Sequence, residues 1–263
     1  MKRQRRNSTE RHAAPFLRSV ELLPEQSTGG YPFDIPVFQK GFRIDFRNTV
    51  TFFVGENGSG KSTLLEAIAT RCGFGLIGGC RDHALQVEDT HTALGCALKL
   101  SWLPKVTEGF FFRAESFFDF ATYLDKVSNL SSYGGKSLHA QSHGESFLAL
   151  FVHRFTQGVY ILDEPEAALS PARQLTFLRI IHDLSMQGNT QFLISTHSPI
   201  LLAYPGATLF SLDGACMQEI RYEDTLHYQI TRQFLECPAR YLKHLFLNGS
   251  EDEDTCDGEE TVK

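Results

Sequence analysis

The segment VTFFVGENGSGKSTLLEAIAT, residues 50–70, decides the fold. Its first five residues are apolar or β-branched and predict a buried strand, whereas LLEAIAT has the spacing of a helix. Between them, residues 55–62 read GENGSGKS, which satisfies the G-x-x-x-x-G-K-[ST] pattern of a phosphate-binding loop. An ordinary glycine-rich turn would leave Lys61 and Ser62 unexplained, so the segment predicts a nucleotide site between a strand and a helix.

Each position of this loop has an expected role. The glycines let backbone N–H groups turn toward phosphate oxygens, and the dipole of the following helix favours an anion there. Lys61 is predicted to reach the β- and γ-phosphates, and Ser62 to offer its hydroxyl to Mg²⁺. The predicted nucleotide-binding residues are Gly55, Asn57, Gly58, Ser59, Gly60, Lys61, Ser62 and Thr63.

A second segment, ILDEPEAALSP at residues 161–171, places two acids at the end of an apolar strand. Carboxylates there are costly unless they hold a cation or act on a substrate. Asp163 is predicted to hold Mg²⁺ together with Ser62, and Glu164 to be the base that polarises the attacking water. A helix capping box around Asp163 or Glu166 is the alternative.

A third segment, QFLISTHSP at residues 191–199, puts His197 just beyond another predicted strand. Ligand-binding groups collect at the carboxyl ends of strands in α/β sheets. A lone histidine is usually structural. Because this one follows a phosphate loop and an acid pair in order, we predict that His197 is catalytic.

The composition limits the class of protein. The chain has 263 residues, a net charge of −6 and 42% hydrophobic residues, which predicts one globular domain without a broadly basic surface. Six scattered cysteines suggest reduced thiols rather than a zinc site. No apolar run approaches the length of a membrane helix, so we expect a cytoplasmic protein without stable membrane insertion. Residues 1–13 and 249–263 are predicted to be disordered basic and acidic tails.

Between the tails, strand and helix patterns alternate across residues 14–248 and predict an α/β fold with a largely parallel central sheet. Residues 207–212 and 216–222, joined by an Asp-Gly turn, predict an antiparallel hairpin at the sheet edge. Residues 223–246 have helical spacing and are predicted to form a helix that packs on the domain and breaks at Pro238. The alternative for this segment is a DNA-binding helix.

The order GENGSGKST, QSHGES, ILDEPEAALSP, STHSP resembles the ATP-binding cassette (ABC) ATPases. It resembles their non-transporter, AAA-family branch, which includes the SMC-like, RecF-like and OLD-like ATPases. The resemblance covers roughly residues 16–212 and implies a P-loop NTPase of ABC type. It also implies a compact helical subdomain at about residues 75–158, which carries the signature motif.

In that family the signature of one subunit binds the γ-phosphate held by the phosphate loop of the other. By this resemblance Ser142, Gly144 and Glu145 of QSHGES would complete the site of a second chain, although the hexapeptide also fits an ordinary capped helix start. The resemblance therefore implies a head-to-tail homodimer that closes around ATP and Mg²⁺.

Several positions depart from the family pattern. No glutamine stands where the family has its glutamine loop, and Glu115 is the candidate substitute as a further Mg²⁺ or water contact, with a surface acid as the alternative. Ser170 stands where transporters have an aspartate. Tyr31 and Phe33 are alternative candidates for stacking on adenine, and each could instead be a core aromatic.

The resulting hypothesis is a Mg²⁺-dependent ATPase in DNA maintenance or phage defence, with DNA or a separately encoded effector protein as its partner. The alternatives are the nucleotide-binding subunit of a transporter and a nucleotide-gated binding module with negligible turnover.

Overall fold

The computed structural model describes residues 13–27, 29–75, 79, 92–115, 148, 151 and 156–246. The signature hexapeptide at residues 141–146 lies outside these residues. So do the predicted tails, except for residue 13.

The main sheet has six strands in the order β5-β6-β7-β3-β8-β9, and every neighbouring pair is parallel except β8 with β9. The predicted α/β fold and the antiparallel edge hairpin are therefore confirmed. The strands of this sheet are β3 (Val50–Val54), β5 (Gly109–Arg113), β6 (Gly158–Asp163), β7 (Thr190–Ser195), β8 (Thr208–Ser211) and β9 (Gln218–Glu219).

A second sheet of three antiparallel strands has the order β2-β1-β4. Its strands are β1 (Leu17–Leu22), β2 (Phe42–Asp45) and β4 (Leu98–Trp102). The α-helices of the described residues are α1 (Pro36–Gln39), α2 (Lys61–Cys72), α3 (Ala93–Ala97), α4 (Pro171–Met186), α5 (Pro199–Leu202), α6 (Leu226–Glu236) and α7 (Pro238–Phe246).

The main sheet is covered on both faces, which explains why its strands are continuous apolar runs. Alternate side chains of β3 illustrate this: Phe52 belongs to the hydrophobic core beneath α4, and Phe53 belongs to the core shared with α2 and the small sheet. Both phenylalanines are fully buried. The two cores hold β3 rigidly, and the loop that leaves its carboxyl end therefore starts from a fixed point.

A buried glutamine joins the two sheets. The Oε1 atom of Gln191 on β7 accepts hydrogen bonds from the backbone N–H groups of Phe16 and Leu17, both at 2.9 Å. Its Nε2 atom donates to the carbonyl oxygen of Leu17 at 2.9 Å. All of these groups are buried, so the amide satisfies backbone polar groups that water cannot reach.

Two segments differ from the expectations. Residues 92–115 fall within the predicted helical subdomain but contain β4 and β5, one strand from each sheet. The C-terminal helix does break before Pro238, as predicted, but α6 and α7 contain no buried residue. Ile230, Leu235 and Phe246 are 49%, 69% and 74% exposed, so the described residues do not show the predicted packing of this segment on the domain for most of its length.

Candidate functional site

The phosphate loop runs from β3 into α2, and two of its glycines have the left-handed backbone that only glycine adopts without strain. Gly58 has φ 83° and Gly60 has φ 99°. A Cβ atom at Gly60 would also lie 3.0 Å from the ring of Phe38. Glycine is therefore required at position 60, both by the backbone conformation and by the close approach of Phe38.

Lys61 is 4% exposed and folds back over the loop. Its Nζ atom donates to the carbonyl oxygens of Gly55 at 2.7 Å and Glu56 at 3.0 Å. Burial lowers the pKa of Lys61, and the nearby carboxylates of Glu164 and Asp163 oppose that shift. The ammonium group is thus held at the centre of the loop, where a phosphate oxygen would meet it.

Asp163 ends β6 and connects the acid pair to the phosphate loop. Its Oδ1 atom accepts hydrogen bonds from the hydroxyls of Ser62 at 3.1 Å and Ser195 at 2.5 Å. The side chain is almost fully buried. Burial raises the pKa of Asp163, and the two serine hydroxyls oppose the shift because they stabilise the charged form. The structure therefore brings Ser62 and Asp163 together, as the sequence predicted.

Glu164 has φ 49° and ψ 53°, and it is the one non-glycine residue in the described part of the chain with a positive φ. A positive φ is costly for a residue with a side chain and is typical of functional sites, and the side chain of Glu164 is 41% exposed. Its N–H donates to the carbonyl oxygen of Ser195 at 3.1 Å. Two adjacent acids thus have different environments, one buried among hydroxyls and one open to solvent.

His197 follows β7 and lies beside Glu164. Its Nε2 atom is 3.4 Å from Oε1 of Glu164. Its backbone N–H donates to Oε1 of Glu166 at 2.6 Å, and its Nδ1 atom shares a 2.7 Å hydrogen bond with Nε2 of His227. Burial raises the pKa of Glu166, and the His197 N–H opposes this shift.

The structure does not place Glu115 with Ser62 and Asp163. Its side chain is 80% exposed, and its Oε2 atom pairs with Nη2 of Arg113 at 2.9 Å. Arg113 also pairs with Glu66, and its Nε atom lies 4.0 Å from Oδ2 of Asp163. The group next to the buried acid on this side is therefore the guanidinium of Arg113 rather than a second carboxylate.

The structure separates the two aromatic candidates for the adenine site. Phe33 is 5% exposed and belongs to the core under the small sheet. Tyr31 is 74% exposed, and its hydroxyl lies 3.2 Å from Oγ1 of Thr63 in the phosphate loop. Of the two, only Tyr31 has a ring face available to a ligand.

Sequence reasoning missed three residues of the site. Ser195 bonds to Asp163, His227 bonds to His197, and Oδ1 of Asp213 accepts a hydrogen bond from the N–H of Glu56 at 2.8 Å. The sequence pattern placed Asp213 in a turn and Ser195 at the end of a strand. His227 belongs to no motif and lies 30 residues after His197, so the sequence offers no signal for it.

The oxygen atoms of Ser62 and Asp163 suit a hard divalent cation such as Mg²⁺. Within the described ranges no cluster of three or more His, Cys, Asp or Glu side chains could bind a metal by itself. Mg²⁺ in nucleotide enzymes usually takes only one or two protein oxygens, and substrate phosphates and water supply the rest. The pair present here fits that pattern, and the buried charge of Asp163 gains a partner if the ion is bound.

Family models match two separate parts of the chain. Residues 34–88 match an AAA domain, and residues 139–203 match an AAA domain described as a putative AbiEii toxin of a type IV TA system. A curated relative, the ATP-dependent permease AUS1 of Saccharomyces cerevisiae, is 28% identical over 212 residues. That match covers 68% of this chain but only 15% of the permease.

Solved structures give weaker similarities. The SMC head domain from Thermotoga maritima has 16% identity and a TM-score of 0.41, covering 78% of this chain and 98% of that one. The cbiO1 subunit of the transporter complex cbiONQ from Clostridium perfringens has 15% identity and a TM-score of 0.46, covering 87% of this chain and 98% of that one.

No helix among the residues described is long and apolar enough to cross a membrane. With two AAA-domain matches and a phosphate loop at the end of a parallel strand, the chain is similar to AAA-type P-loop ATPase domains.

Proposed function

We propose that this protein binds ATP with Mg²⁺ and hydrolyses it to ADP and phosphate. The observation that carries the proposal is the 3.1 Å hydrogen bond between Ser62 and Asp163, which joins the phosphate loop to the acid pair across 101 residues of sequence. Mg²⁺, when bound, would neutralise phosphate charge at these two oxygens. The loop glycines and Lys61 would bind the β- and γ-phosphates.

Hydrolysis requires a base near the γ-phosphate. Glu164 is half exposed and adjacent to the buried metal-site acid, so its carboxylate can orient a water molecule and accept its proton. The water oxygen forms a bond to the γ-phosphorus as the bond from that phosphorus to the β,γ-bridging oxygen breaks, and ADP leaves with that electron pair. His197, 3.4 Å from Glu164, would donate a hydrogen bond to the γ-phosphate in the transition state.

We further propose that two chains close head to tail around two ATP molecules. The side chain of Glu164, on the proposed γ-phosphate side of the site, is 41% exposed. Ser142, Gly144 and Glu145 of a partner copy are the proposed donors, as the resemblance to ABC ATPases implies. ATP hydrolysis would reopen the dimer.

For the biological process, we favour phage defence or DNA maintenance, with DNA or an effector protein as partner. The description of the model matched by residues 139–203, a putative toxin of a TA system, supports defence. The match to a yeast permease supports a second candidate, the ATPase unit of a transporter. DNA-stimulated hydrolysis would favour the first, and copurification with a membrane protein the second.

Phosphate release from Mg²⁺-ATP tests the proposed activity. The Lys61→Ala variant is expected to lose ATP binding and hydrolysis, because the triphosphate loses its main counter-charge in the loop. Lys99→Ala is the matched control, since the side chain of Lys99 is 68% exposed on the small sheet. Equal phosphate release by wild type and Lys61→Ala, or none by wild type, would contradict the proposal.

A further inference from the structure

We infer that His227 is a positioning residue that fixes the ring orientation and tautomer of His197. This inference rests on the proposed ATP hydrolysis for its functional meaning. The residue lies in the first turn of α6, in the C-terminal segment that follows the last strand of the main sheet. Its contact with His197 gives this segment a function at the site.

Among the described residues, the start of α6 is packed against the domain, whereas the rest of the helix is exposed. Thr225, the residue that caps α6, is 1% exposed. Its hydroxyl donates to the carbonyl oxygen of Tyr222 at 2.7 Å and accepts from the N–H of Tyr228 at 3.4 Å. By contrast, Ile230 and Leu235 further along the helix are 49% and 69% exposed. The fixed part of the helix is the turn that carries His227.

His227 contacts the ring of His197 directly. Its Nε2 atom is 2.7 Å from Nδ1 of His197, and the two ring centroids are 4.8 Å apart at an interplanar angle of 62°. The backbone of His197 is fixed separately by its hydrogen bond to Glu166. The contact with His227 thus restrains rotation of the His197 ring about its side-chain bonds.

The surroundings also select which nitrogen donates. His197 Nε2 and His227 Nδ1 are both buried and have no hydrogen-bond partner among the described residues. If His197 donated from Nδ1, its unprotonated Nε2 would face the carboxylate of Glu164 at 3.4 Å, and two lone pairs would repel. His227 would then also carry a buried N–H with no acceptor, which is rarer and costlier in proteins than an unpaired acceptor.

Both costs are smaller when each ring carries its proton on Nε2, because the Nε2–H of His197 then faces Oε1 of Glu164 at 3.4 Å and the unpaired atom of His227 is an acceptor rather than a donor. His227 then donates from Nε2 to Nδ1 of His197, and His197 presents its Nε2–H toward Glu164 and the proposed γ-phosphate site. Burial, and then the neighbouring His197, lower the pKa of His227, which keeps this ring neutral. Glu56 and Asp213 oppose that shift and Lys61 adds to it. In this arrangement His227 gives His197 the tautomer that can donate to a phosphate oxygen.

Two variants and one control test the role through activity. His227→Leu removes the donor, and we expect kcat to fall about tenfold with little change in KM, the scale of one lost hydrogen bond. His227→Gln should restore most of the rate, because its amide Nε2–H lies the same number of bonds from the backbone. His244→Leu is the control, since His244 is exposed on α7. Unchanged kcat in His227→Leu, or equal losses in Leu and Gln, would overturn the inference.

A second readout does not need activity. Long-range ¹H–¹⁵N spectra of the nucleotide-free wild type with ¹⁵N-labelled histidine report the tautomer of each ring. We expect the Nε2–H tautomer for both His197 and His227, and a loss of that preference at His197 in His227→Leu. An Nδ1–H tautomer at His197 in wild type would overturn the inference. If wild type hydrolyses no ATP, or if the Leu variant fails to fold, the wild-type spectrum still decides.

Discussion

The carboxylate of Asp213 accepts a hydrogen bond from the backbone N–H of Glu56 at 2.8 Å, across 157 residues of sequence. Its other oxygen, Oδ2, accepts from the hydroxyl of Ser211 at 3.3 Å. Asp213 follows β8, the neighbour of β3 in the main sheet, and so this contact ties the second residue of the phosphate loop to the next strand along. The loop is therefore supported from outside its own motif.

Replacing Asp213 with alanine should lower the free energy of unfolding by about 1 kcal/mol, the scale of one hydrogen bond at a site that water can reach. Asp213→Asn keeps an acceptor and should cost less. Urea denaturation of nucleotide-free protein measures both. Asp183→Ala, which removes an exposed acid paired with Arg179 on α4, is the control. Equal values for Asp213→Ala and the control would show that this contact does not support the loop.

Truncation of Tyr31 should affect ATP binding, whereas truncation of Phe33 should affect the stability of the fold. We expect Tyr31→Ala to weaken ATP binding by about 1–3 kcal/mol, the range measured for a base stacked on an aromatic side chain, with stability unchanged. Phe33→Ala should instead destabilise the fold by about 3–5 kcal/mol, since it removes a buried ring. Calorimetric titration with ATP and thermal denaturation separate the two effects. Full ATP affinity in Tyr31→Ala would remove Tyr31 from the base site.

Asp163→Asn should stabilise the nucleotide-free protein while removing Mg²⁺-dependent ATP binding. Burial penalises the charged form of Asp163 in the folded state, and asparagine keeps an acceptor for Ser62 and Ser195. We expect a gain within roughly 0.5–2 kcal/mol, the range common for a single stabilising substitution. Melting curves with and without Mg²⁺-ATP measure both effects. A less stable variant that still responds to Mg²⁺-ATP would contradict the assignment.

Mixing two inactive variants tests the proposed dimer. If Ser142 acts on the partner's nucleotide, Lys61→Ala and Ser142→Arg homodimers are both inactive, but a mixed dimer keeps one intact site. Random exchange should restore about a quarter of wild-type phosphate release if the two sites act independently. Subunit exchange is checked by pull-down of a tagged variant with ATP. With exchange shown, no recovered activity would mean that Lys61 and Ser142 do not act in separate chains.

The strand pattern and the motifs could be predicted from the sequence because each depends on local chemistry. VTFFV and QFLIST are apolar runs typical of strands buried on both faces, and both are central strands of the main sheet. The phosphate loop, Asp163 and His197 stand at strand ends, and the parallel topology brings strand ends together. Their proximity was therefore predictable without coordinates.

What could not be predicted depends on contacts between distant segments. Gln191 reads as a polar interruption of a strand, yet it joins the two sheets. His227 bonds to His197 only because the first turn of α6 is held against the site. The helical spacing of residues 223–246 indicated an apolar face but not whether that face is covered, because amphipathicity does not identify a partner.

The central claim is that Glu164 is the base for ATP hydrolysis, and the Glu164→Gln variant tests it most directly. Glutamine keeps the shape of the side chain but cannot accept the proton from water. Single-turnover phosphate release should therefore slow by about 10² or more, with ATP affinity retained. Size-exclusion chromatography with Mg²⁺-ATP should then show a stable dimer. Phosphate release at the wild-type rate, with ATP bound, would contradict the account.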